Sequence, residues 1–470
     1  MIKDMTKGTI LPLILLFSLP ILIGNIFQQF YQLADIFIVG HLLGNNALAA
    51  VGASAPIYFM FLIIAFSFTG GLTAVTAQRF GAKDYDGVRA SVTHSIRASI
   101  VLSLILMCSL LFFLHPVMRI LNVPDSIYED SYNFIFILGM GMFLTIGFNL
   151  LSGFIRALGD SRTPLYFLIF SSLLNIVFNY VLIKHLHFGV IGSATGTILA
   201  ISTSVICCLG YMWKNYPILR LKKEDWRYDK KFMQEHLHIA IPMSVQFSVL
   251  SLGIMVIQAV SNGFGEDVIV GFTIALRIEQ LATQPLLAIG LAIATFAAQN
   301  YGARKIARIR RAVKESLMVS TGISIVAGIL MYIYGRDLIG SFIEEKTGPA
   351  IEIGTAYLEV SMMFYAGLGA IFIYKNTLQS MGRPFYPVLS GFIELGIRSF
   401  AAIILAKSMG YAGIYWASPL AWLGGAICVF IGYYKNVYKK RVSSRLDRRP
   451  RRTAVRVAHS RQAVSVPSEL

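Results

Sequence analysis

The residue with the clearest capacity for chemistry in this sequence is Asp35, a carboxylate inside a long apolar segment, residues 10–39. Amide side chains precede it at spacings of three or four residues: Asn25, Gln28, Gln29 and Gln32. In a helix they share about a third of the circumference with Asp35, because successive residues are about 100° apart. Such a stripe is costly to expose to lipid, so we expect it to face the protein interior. The alternative is a carboxylate that reaches the outer membrane interface from near the end of its helix.

Neutral oxygen atoms that could join this carboxylate occur in two later apolar segments. Asn175 and Asn179 are four residues apart and therefore lie on one face of a helix. Residues 189–197 combine small residues, which allow helices to approach closely, with hydroxyl groups such as that of Thr197. One carboxylate with several neutral oxygens predicts a site for a partly hydrated Na⁺ or K⁺, or for a shared proton. Considered alone, the asparagine pair is explained by hydrogen bonds between helices.

The second half of the chain has embedded charges in other positions. Glu394 and Arg398 have the i, i+4 spacing of an ion pair within one helix, and the alternative is a role in transport. Arg277 and Glu279 are two residues apart and point in different directions, so each must find a partner elsewhere. The carboxylate of the first half has no counterpart here, since Ile257 stands at the matching position.

The elements that position these residues follow from the composition of the 470-residue chain. Hydrophobic residues make up 56% and charged residues 14% of it, and its mean hydropathy is +0.66. A soluble protein carries roughly a quarter charged residues, so a soluble enzyme is excluded. Twelve apolar segments of about 20 residues or more are each long enough to cross ~30 Å of hydrocarbon as a helix, and they predict an all-α polytopic membrane protein. The segments are residues 10–39, 48–77, 94–114, 131–155, 164–184, 190–213, 239–261, 267–298, 315–335, 352–379, 387–407 and 412–435.

The distribution of Lys and Arg predicts the orientation. If the segments alternate across the membrane, 32 of the 41 Lys and Arg residues lie on the side of the two termini and 5 on the other side. Positive charge is retained on the cytoplasmic side, so we expect both termini in the cytoplasm of a bacterial inner membrane. The net charge of +17 is then explained by the Lys and Arg residues of the cytoplasmic loops and tail, which fix the topology. We expect the basic tail to be attracted to anionic lipid headgroups. No nucleic-acid partner is expected.

An internal repeat divides the segments into two sets of six. Residues 78–83 (QRFGAK) recur as residues 299–304 (QNYGAR) with an offset of 221, and residues 156–159 recur as residues 379–382 with an offset of 223. Because six is even, the two halves have the same orientation and are related by a pseudo-two-fold axis along the membrane normal. We predict an N-terminal six-helix bundle, a cytoplasmic linker, a C-terminal six-helix bundle and a basic, disordered cytoplasmic tail: residues 1–213, 214–238, 239–435 and 436–470.

Sequence signatures of catalysis are missing. The chain contains no GxxxxGK[ST], HExxH or GxSxG motif, so we predict that it is not an enzyme and needs no cofactor beyond a coupling ion. Its four cysteines lie in apolar segments without a CxxC pattern and are expected to be small buried residues.

Together these features resemble the multidrug and toxic compound extrusion (MATE) family of the MOP flippase superfamily. The resemblance rests on the two sets of six segments, the paired Q-x-[FY]-G-A-[KR] loops, Pro20 with Asp35 on the first segment, and the LNxxxN stretch at residues 174–179. It covers residues 10–435, and the chain looks most like the bacterial branch named for a DNA-damage-inducible member.

In that branch, a cation site in the first half combines an Asp, a Tyr and a Gln of the first helix with side chains of the fifth and sixth helices. The matching positions here are Asp35, Tyr31, Gln28, Asn175, Asn179 and Thr197, with Pro20 as the bend of the first helix. Asn179 stands where the family usually has a second Asp, so the site carries at most one negative charge. We therefore expect weaker binding of a monovalent cation, or simpler coupling to protons through Asp35.

The resemblance implies an inner-membrane exporter that alternates between outward- and inward-facing states. Such a protein exchanges H⁺ or Na⁺ for amphipathic, often cationic organic compounds; the sequence does not distinguish a drug, a toxin or a secondary metabolite. We expect a monomer in contact with membrane lipids. One alternative is a lipid-linked oligosaccharide flippase of the same superfamily, for which Arg277 and Lys375 are candidate cationic groups. A channel or scaffold is a third interpretation, which the two-fold repeat with an ionisable stripe in one half disfavours.

Overall fold

The computed structural model describes residues 3–121, 123–343 and 348–439, and these ranges contain helices and no β-strand. Fourteen α-helices lie in the described ranges: α1 (Ile10–Leu43), α2 (Asn45–Gly81), α3 (Tyr85–Ile120), α4 (Asp125–Met140), α5 (Met142–Ala157), α6 (Arg162–Tyr180), α7 (Gly189–Asn215), α8 (Lys230–Ser261), α9 (Glu266–Gly302), α10 (Ile306–Gly340), α11 (Pro349–Met362), α12 (Tyr365–Ser380), α13 (Phe385–Met409) and α14 (Ala417–Tyr433). Shorter helical turns follow α6 at Val181–His185, precede α14 at Gly410–Trp416 and extend it at Tyr434–Lys439.

The described helices form twelve membrane crossings. Nine helical stretches are long and apolar enough to cross alone, and the bent pairs α4/α5 and α11/α12 supply two more. The longest of the nine, Phe385–Lys439, has 55 residues, which at about 1.5 Å per residue is far longer than one crossing needs. Within it Gly425 packs on Glu394 and Gly432 on Tyr386. These contacts run in opposite directions along the chain, so α13 and α14 form an antiparallel pair and cross separately.

Two of the predicted segments are bent instead of straight. Residues 131–155 are divided at Gly141 by a bend of 44°, and residues 352–379 are divided between α11 and α12 by a bend of 54°. At Gly141 a Cβ atom would lie 2.6 Å from the side chain of Ile198 on α7. The bend therefore follows from close helix packing, which hydrophobicity along the chain does not reveal.

The boundaries of the linker and tail differ from the predicted ones. The helix α8 begins at Lys230, because the side chain of Asp229 caps the backbone N–H groups of Lys231 (2.8 Å) and Phe232 (3.2 Å). Within the predicted tail, residues 436–439 belong to the helical turn after α14, whereas residues 440–470 lie outside the described residues. The expectation of four buried cysteines was wrong for Cys108 and Cys207, which are exposed on membrane-crossing helices.

The two halves meet at the membrane side that carries loops 78–93, 156–163, 214–238, 299–314 and 380–386, here called the basic face. A Cβ atom on Gly81 would lie 1.9 Å from the carbonyl oxygen of Gln299, and one on Gly302 would lie 1.8 Å from that of Gln78. Only glycine permits this approach of α2 to α9. The contact is reciprocal, as a two-fold axis through it requires.

Side-chain hydrogen bonds repeat the same symmetry. Gln78 Nε2 donates to the carbonyl oxygen of Ser380 (2.6 Å), and Gln299 Nε2 donates to that of Ala157 (2.8 Å). Each bond joins the loop motif of one half to the other half. The loops also share an uncommon backbone conformation. Lys83 (φ 58°) and Arg304 (φ 60°), which occupies the equivalent position in the second half, both lie in the left-handed region of backbone conformation.

The segment before α1 reinforces this contact. Met5 N donates to Gln299 Oε1 (2.9 Å) and the backbone N–H of Lys3 donates to the carbonyl oxygen of Leu158 (3.1 Å). Lys305 Nζ donates to the carbonyl oxygen of Thr6 (2.8 Å). Residues 3–6 therefore lie across the junction of the two halves and contact both of them.

Candidate functional site

Asp35 lies at the start of a hydrogen-bonded chain that joins α1, α6 and α7. Asn179 Nδ2 donates to Asp35 Oδ1 and also to Asn175 Oδ1 (3.1 Å), and Asn175 Nδ2 donates to Thr197 Oγ1 (2.8 Å). Ser193 Oγ lies 3.4 Å from the same Asp35 oxygen. Four of the six residues that the family resemblance selects are therefore connected, although they are separated by up to 162 positions in the sequence.

The local structure around Asn179 leaves one oxygen without a donor. Asn179 is fully buried, and its Oδ1 atom has no hydrogen-bond partner among the described residues. A Cβ on Gly196 would lie 2.1 Å from this oxygen, so glycine allows α7 to pack directly over it. The π-helical turn Val181–His185 follows two residues later, and such turns are common at functional sites. A buried acceptor oxygen beside a carboxylate is suited to a cation or a proton donor.

The remaining predicted residues of this site differ in their placement. Tyr31 lies close to both Thr197 and Asp35. Gln28 makes no hydrogen bond with the chain from Asp35 to Thr197 in the described structure, because two helical turns place it about 10 Å away along α1. Pro20 is buried in the interior of α1, which runs without a break from Ile10 to Leu43.

The polar stripe of α1 contacts both halves of the protein. Its Asp35 end contacts α6 and α7 as described, whereas Asn25 Nδ2 donates to Gln284 Oε1 on α9 (3.1 Å). Sequence reasoning missed Tyr58 on α2, which lies close to Tyr31 and extends the site. It also missed the direct contact of Ser193, although the segment containing Ser193 was recognised as polar. No periodicity in α2 distinguishes Tyr58 from its many aromatic neighbours.

The hydrogen-bonded partner of Glu394 lies on another helix, although Arg398 is also within electrostatic range of Glu394, as its spacing predicts. Lys375 Nζ on α12 donates to Glu394 Oε1 at 2.7 Å, with side chains only 7% and 3% exposed. The bent α12 packs against this face of α13 and brings Lys375 within reach, so the i, i+4 spacing does not decide the partner. Glu279 faces Tyr357 and Ser361 on α11, and Arg277 is exposed.

Replacing Lys375 with Met is expected to leave the Glu394 carboxylate buried without its partner. Breaking a buried ion pair in this way costs about 3–5 kcal/mol, so the free energy of unfolding of Lys375→Met in detergent should fall by that order. The double variant Lys375→Met with Glu394→Gln removes both charges and should recover most of the loss. A single variant as stable as the unmodified protein would contradict this role.

The described residues contain no cluster of three or more His, Cys, Asp or Glu side chains able to hold a metal ion together. The site around Asp35 instead combines one carboxylate with amide and hydroxyl oxygens. Such a donor set fits a monovalent cation or a proton, since divalent cations are usually held by several carboxylates.

A membrane bundle with a duplicated architecture and an embedded carboxylate of this kind defines a membrane transporter, not an enzyme. The family model described as MatE matches residues 20–181 and 242–404, one match in each half. The chain belongs to the MatE family. The two matched ranges follow the internal repeat.

Curated relatives align along nearly the whole chain. "Probable multidrug resistance protein YoeA" of Bacillus subtilis (strain 168) is 26% identical over 441 residues, covering 92% of this chain and 95% of the relative. "Probable multidrug resistance protein YpnP" of the same organism is 27% identical over 435 residues, covering 92% and 96%. "Multidrug export protein MepA" of Staphylococcus aureus (strain MSSA476) is 22% identical over 415 residues, covering 88% and 91%.

Solved structures share the fold. A structure described as "Crystal structure of MATE in the bent conformation" superposes with a TM-score of 0.86 at 22% identity, covering 92% of this chain and 96% of that one. A second, described as an outward-facing conformation of a multidrug resistance MATE family transporter, gives a TM-score of 0.85 at 21% identity, with 92% and 97% covered. At these identities the likeness concerns the fold, and it agrees with the twelve crossings described above.

Proposed function

We propose that this protein is an antiporter that exports amphipathic, often cationic organic compounds in exchange for H⁺ or Na⁺. The compounds are drugs, toxins or a secondary metabolite, and the membrane is the bacterial inner membrane. The basic face is the cytoplasmic one, because positively charged loops stay on that side. Relatives named as multidrug resistance and multidrug export proteins support this assignment.

The observation that carries the proposal is the chain of hydrogen bonds that starts at Asp35. The negative charge lies on α1, and every partner lies on α6 or α7. A cation or proton that neutralises Asp35 changes its bonding to Asn179 and Ser193 and thereby the packing of α1. Because α1 also contacts α9 through Asn25 and Gln284, a change in its position is transmitted to the other half.

The closed contact between the halves at the basic face supports an alternating-access cycle. We take the conformation described here as the outward-facing state, in which the reciprocal contacts of Gly81 and Gly302 close the cytoplasmic side. Cation binding at Asp35 from outside lowers the affinity for substrate, and substrate must lower the affinity for the cation by the same factor. One charge moving through 100 mV releases about 2.3 kcal/mol, and each pH unit adds about 1.4 kcal/mol.

The flippase alternative requires cationic side chains free to hold a pyrophosphate. Of the two candidates in the second half, Lys375 is paired with Glu394 at 2.7 Å. Arg277 lies on the exposed surface of α9. This pairing favours the exporter over the flippase.

Uptake of a fluorescent cationic dye into inside-out vesicles tests the proposal. An exporter accumulates dye when the vesicle interior is more acidic or richer in Na⁺ than the medium, and the two gradients applied separately identify the coupling ion. Vesicles without the protein supply the baseline. Dye uptake equal to that baseline under both gradients, together with movement of a fluorescent lipid-linked sugar, would favour the flippase instead.

A further inference from the structure

The linker between the two six-helix bundles is fixed to the first half of the protein. Arg89 Nε on α3 donates to Asp225 Oδ2 (3.1 Å), and the two side chains are only 13% and 9% exposed. Thr93 Oγ1 donates to the carbonyl oxygen of Asp225 (2.7 Å), and the backbone N–H of Asp229 donates to His94 Nε2 (3.1 Å). This part of the linker therefore lies in a fixed position against α3.

These contacts leave positive charge on the outer side of the linker. The carboxylate of Asp225 is paired with Arg89, and that of Asp229 caps α8. Five basic side chains around them are exposed and form no ion pair within the described part of the chain. They outnumber the exposed carboxylates beside them. We call these five the linker patch: Lys222, Lys223, Arg227, Lys230 and Lys231.

Exposed aromatic side chains border the linker patch. Trp226 and Tyr228 are both exposed, and the guanidinium carbon of Arg97 on α3 lies 5.7 Å from the centre of each ring. At the end of α7, Trp213 is exposed as well, and its carbonyl oxygen accepts a hydrogen bond from Arg220 Nε (2.9 Å). Trp and Tyr are enriched where the membrane meets water, because one end of each side chain is apolar and the other polar.

The linker patch lies at the edge of the lipid-facing surface. On α3 the exposed apolar side chains Ile100 and Val101 follow Arg97 by one helical turn. On α7 the exposed Leu209 precedes Trp213 by one turn. Exposed apolar side chains on a membrane-crossing helix face lipid. The aromatic rings and the cations beside them are therefore at the level of the lipid headgroups.

We propose that the linker patch binds the headgroups of anionic phospholipids in the leaflet at the basic face. Lysine and arginine donate charge-assisted hydrogen bonds to phosphate oxygens, and basic clusters directly beside a membrane-crossing helix attract anionic lipids. Charge complementarity thus selects an anionic over a zwitterionic lipid, while Trp226 and Tyr228 contact the upper part of its acyl chains. Because the linker is fixed to α3, lipid bound here holds the first half of the protein to that leaflet.

Quenching of Trp226 fluorescence by brominated lipids tests this proposal. Replacing Trp213, Trp416 and Trp422 with Phe leaves Trp226 as the only tryptophan of the full-length chain. The protein is reconstituted in phosphatidylcholine vesicles to which phosphatidylglycerol or phosphatidylcholine, brominated on acyl carbons near the headgroup, is added in increasing amounts. We expect brominated phosphatidylglycerol to reach half-maximal quenching at about a tenfold lower mole fraction, a preference that one or two basic residues at an anionic surface can supply.

Two triple variants separate the linker patch from positive charge in general. Lys222→Gln, Lys223→Gln and Arg227→Gln together should remove the preference for phosphatidylglycerol. Lys314→Gln, Lys435→Gln and Lys439→Gln remove three exposed charges from the second half and should leave it unchanged. Raising the ionic strength should weaken the preference. Equal quenching by the two lipids, or a preference that survives loss of Lys222, Lys223 and Arg227, would overturn the proposal.

This proposal goes beyond the proposed function and can fail separately from it. The quenching measurement uses no ion gradient and no transported compound, so its outcome does not depend on whether the protein exports dye. Loss of export in Asp35→Asn, in turn, would leave the lipid preference of Trp226 unchanged.

Discussion

Asp35→Asn is expected to reduce cation-driven dye export to the level of vesicles without the protein, while folded protein remains in the membrane. The substitution keeps the size of the side chain and an oxygen that accepts hydrogen bonds from Asn179 and Ser193. It removes the charge that attracts a cation and the group that takes up a proton. Because the gradient drives export only through that exchange, binding of dye should persist while its accumulation against a gradient is lost.

Asp337→Asn is the matched control for this variant. Asp337 is an exposed carboxylate near the end of α10 and lies outside the chain of hydrogen bonds from Asp35 to Thr197, so its replacement should leave export unchanged. Protein amount and the shape of the size-exclusion peak should be the same in both variants. Full export by Asp35→Asn would show that coupling passes through another group.

Gly302→Ala is expected to prevent closure of the basic face. The added Cβ would lie 1.8 Å from the carbonyl oxygen of Gln78, and backbone atoms cannot rotate away as a side chain can. Overpacking of this kind costs about 3 kcal/mol, which shifts an equilibrium between two conformations by roughly a hundredfold. The protein should therefore populate a state that is open at the basic face, and export should fall in proportion to the loss of the closed state.

The distance between the halves measures this shift. Spin labels on cysteines at positions 162 and 385, which are exposed at the starts of α6 and α13, report it in a protein whose four natural cysteines are replaced with serine. Gly302→Ala should lengthen the distance distribution. Gly322→Ala is the control, because nothing lies within 4 Å of its added Cβ. Unchanged distances in Gly302→Ala would mean that the glycine contact does not close the molecule.

Sequence analysis could predict that the two repeated loops are equivalent, but it could not predict how they contact each other. The recurrence of QRFGAK as QNYGAR indicates two loops with one structure, and Lys83 and Arg304 do share a left-handed conformation. That the glycines of these motifs pack on the glutamine backbones of the opposite motif depends on where the two-fold axis passes. A sequence repeat predicts that a pseudo-two-fold axis exists, but it does not show where that axis passes through the protein.

Partners of buried charges show the limit of spacing rules most clearly. The i, i+4 spacing pointed Glu394 to Arg398, whereas its carboxylate is bound by Lys375 on another helix. Spacing describes one helix in isolation, and in a bundle a neighbouring helix can offer a nearer cation. The family resemblance did better for Asp35, because it carries information about which helices meet. Even so, it included Gln28, which lies two turns before Asp35 on α1.

The sequence alone determined the number of crossings, their approximate ends, the duplicated architecture and the face on which the positive charge lies. These properties follow from hydrophobicity, periodicity and charge along the chain, each of which acts locally or repeats at a constant offset. Only the tertiary structure decided the bend at Gly141, the ion pair of Lys375 with Glu394 and the chain of hydrogen bonds from Asp35 to Thr197. These depend on contacts between helices far apart in sequence, and the choice among possible partners is made by shape and distance after the bundle has packed.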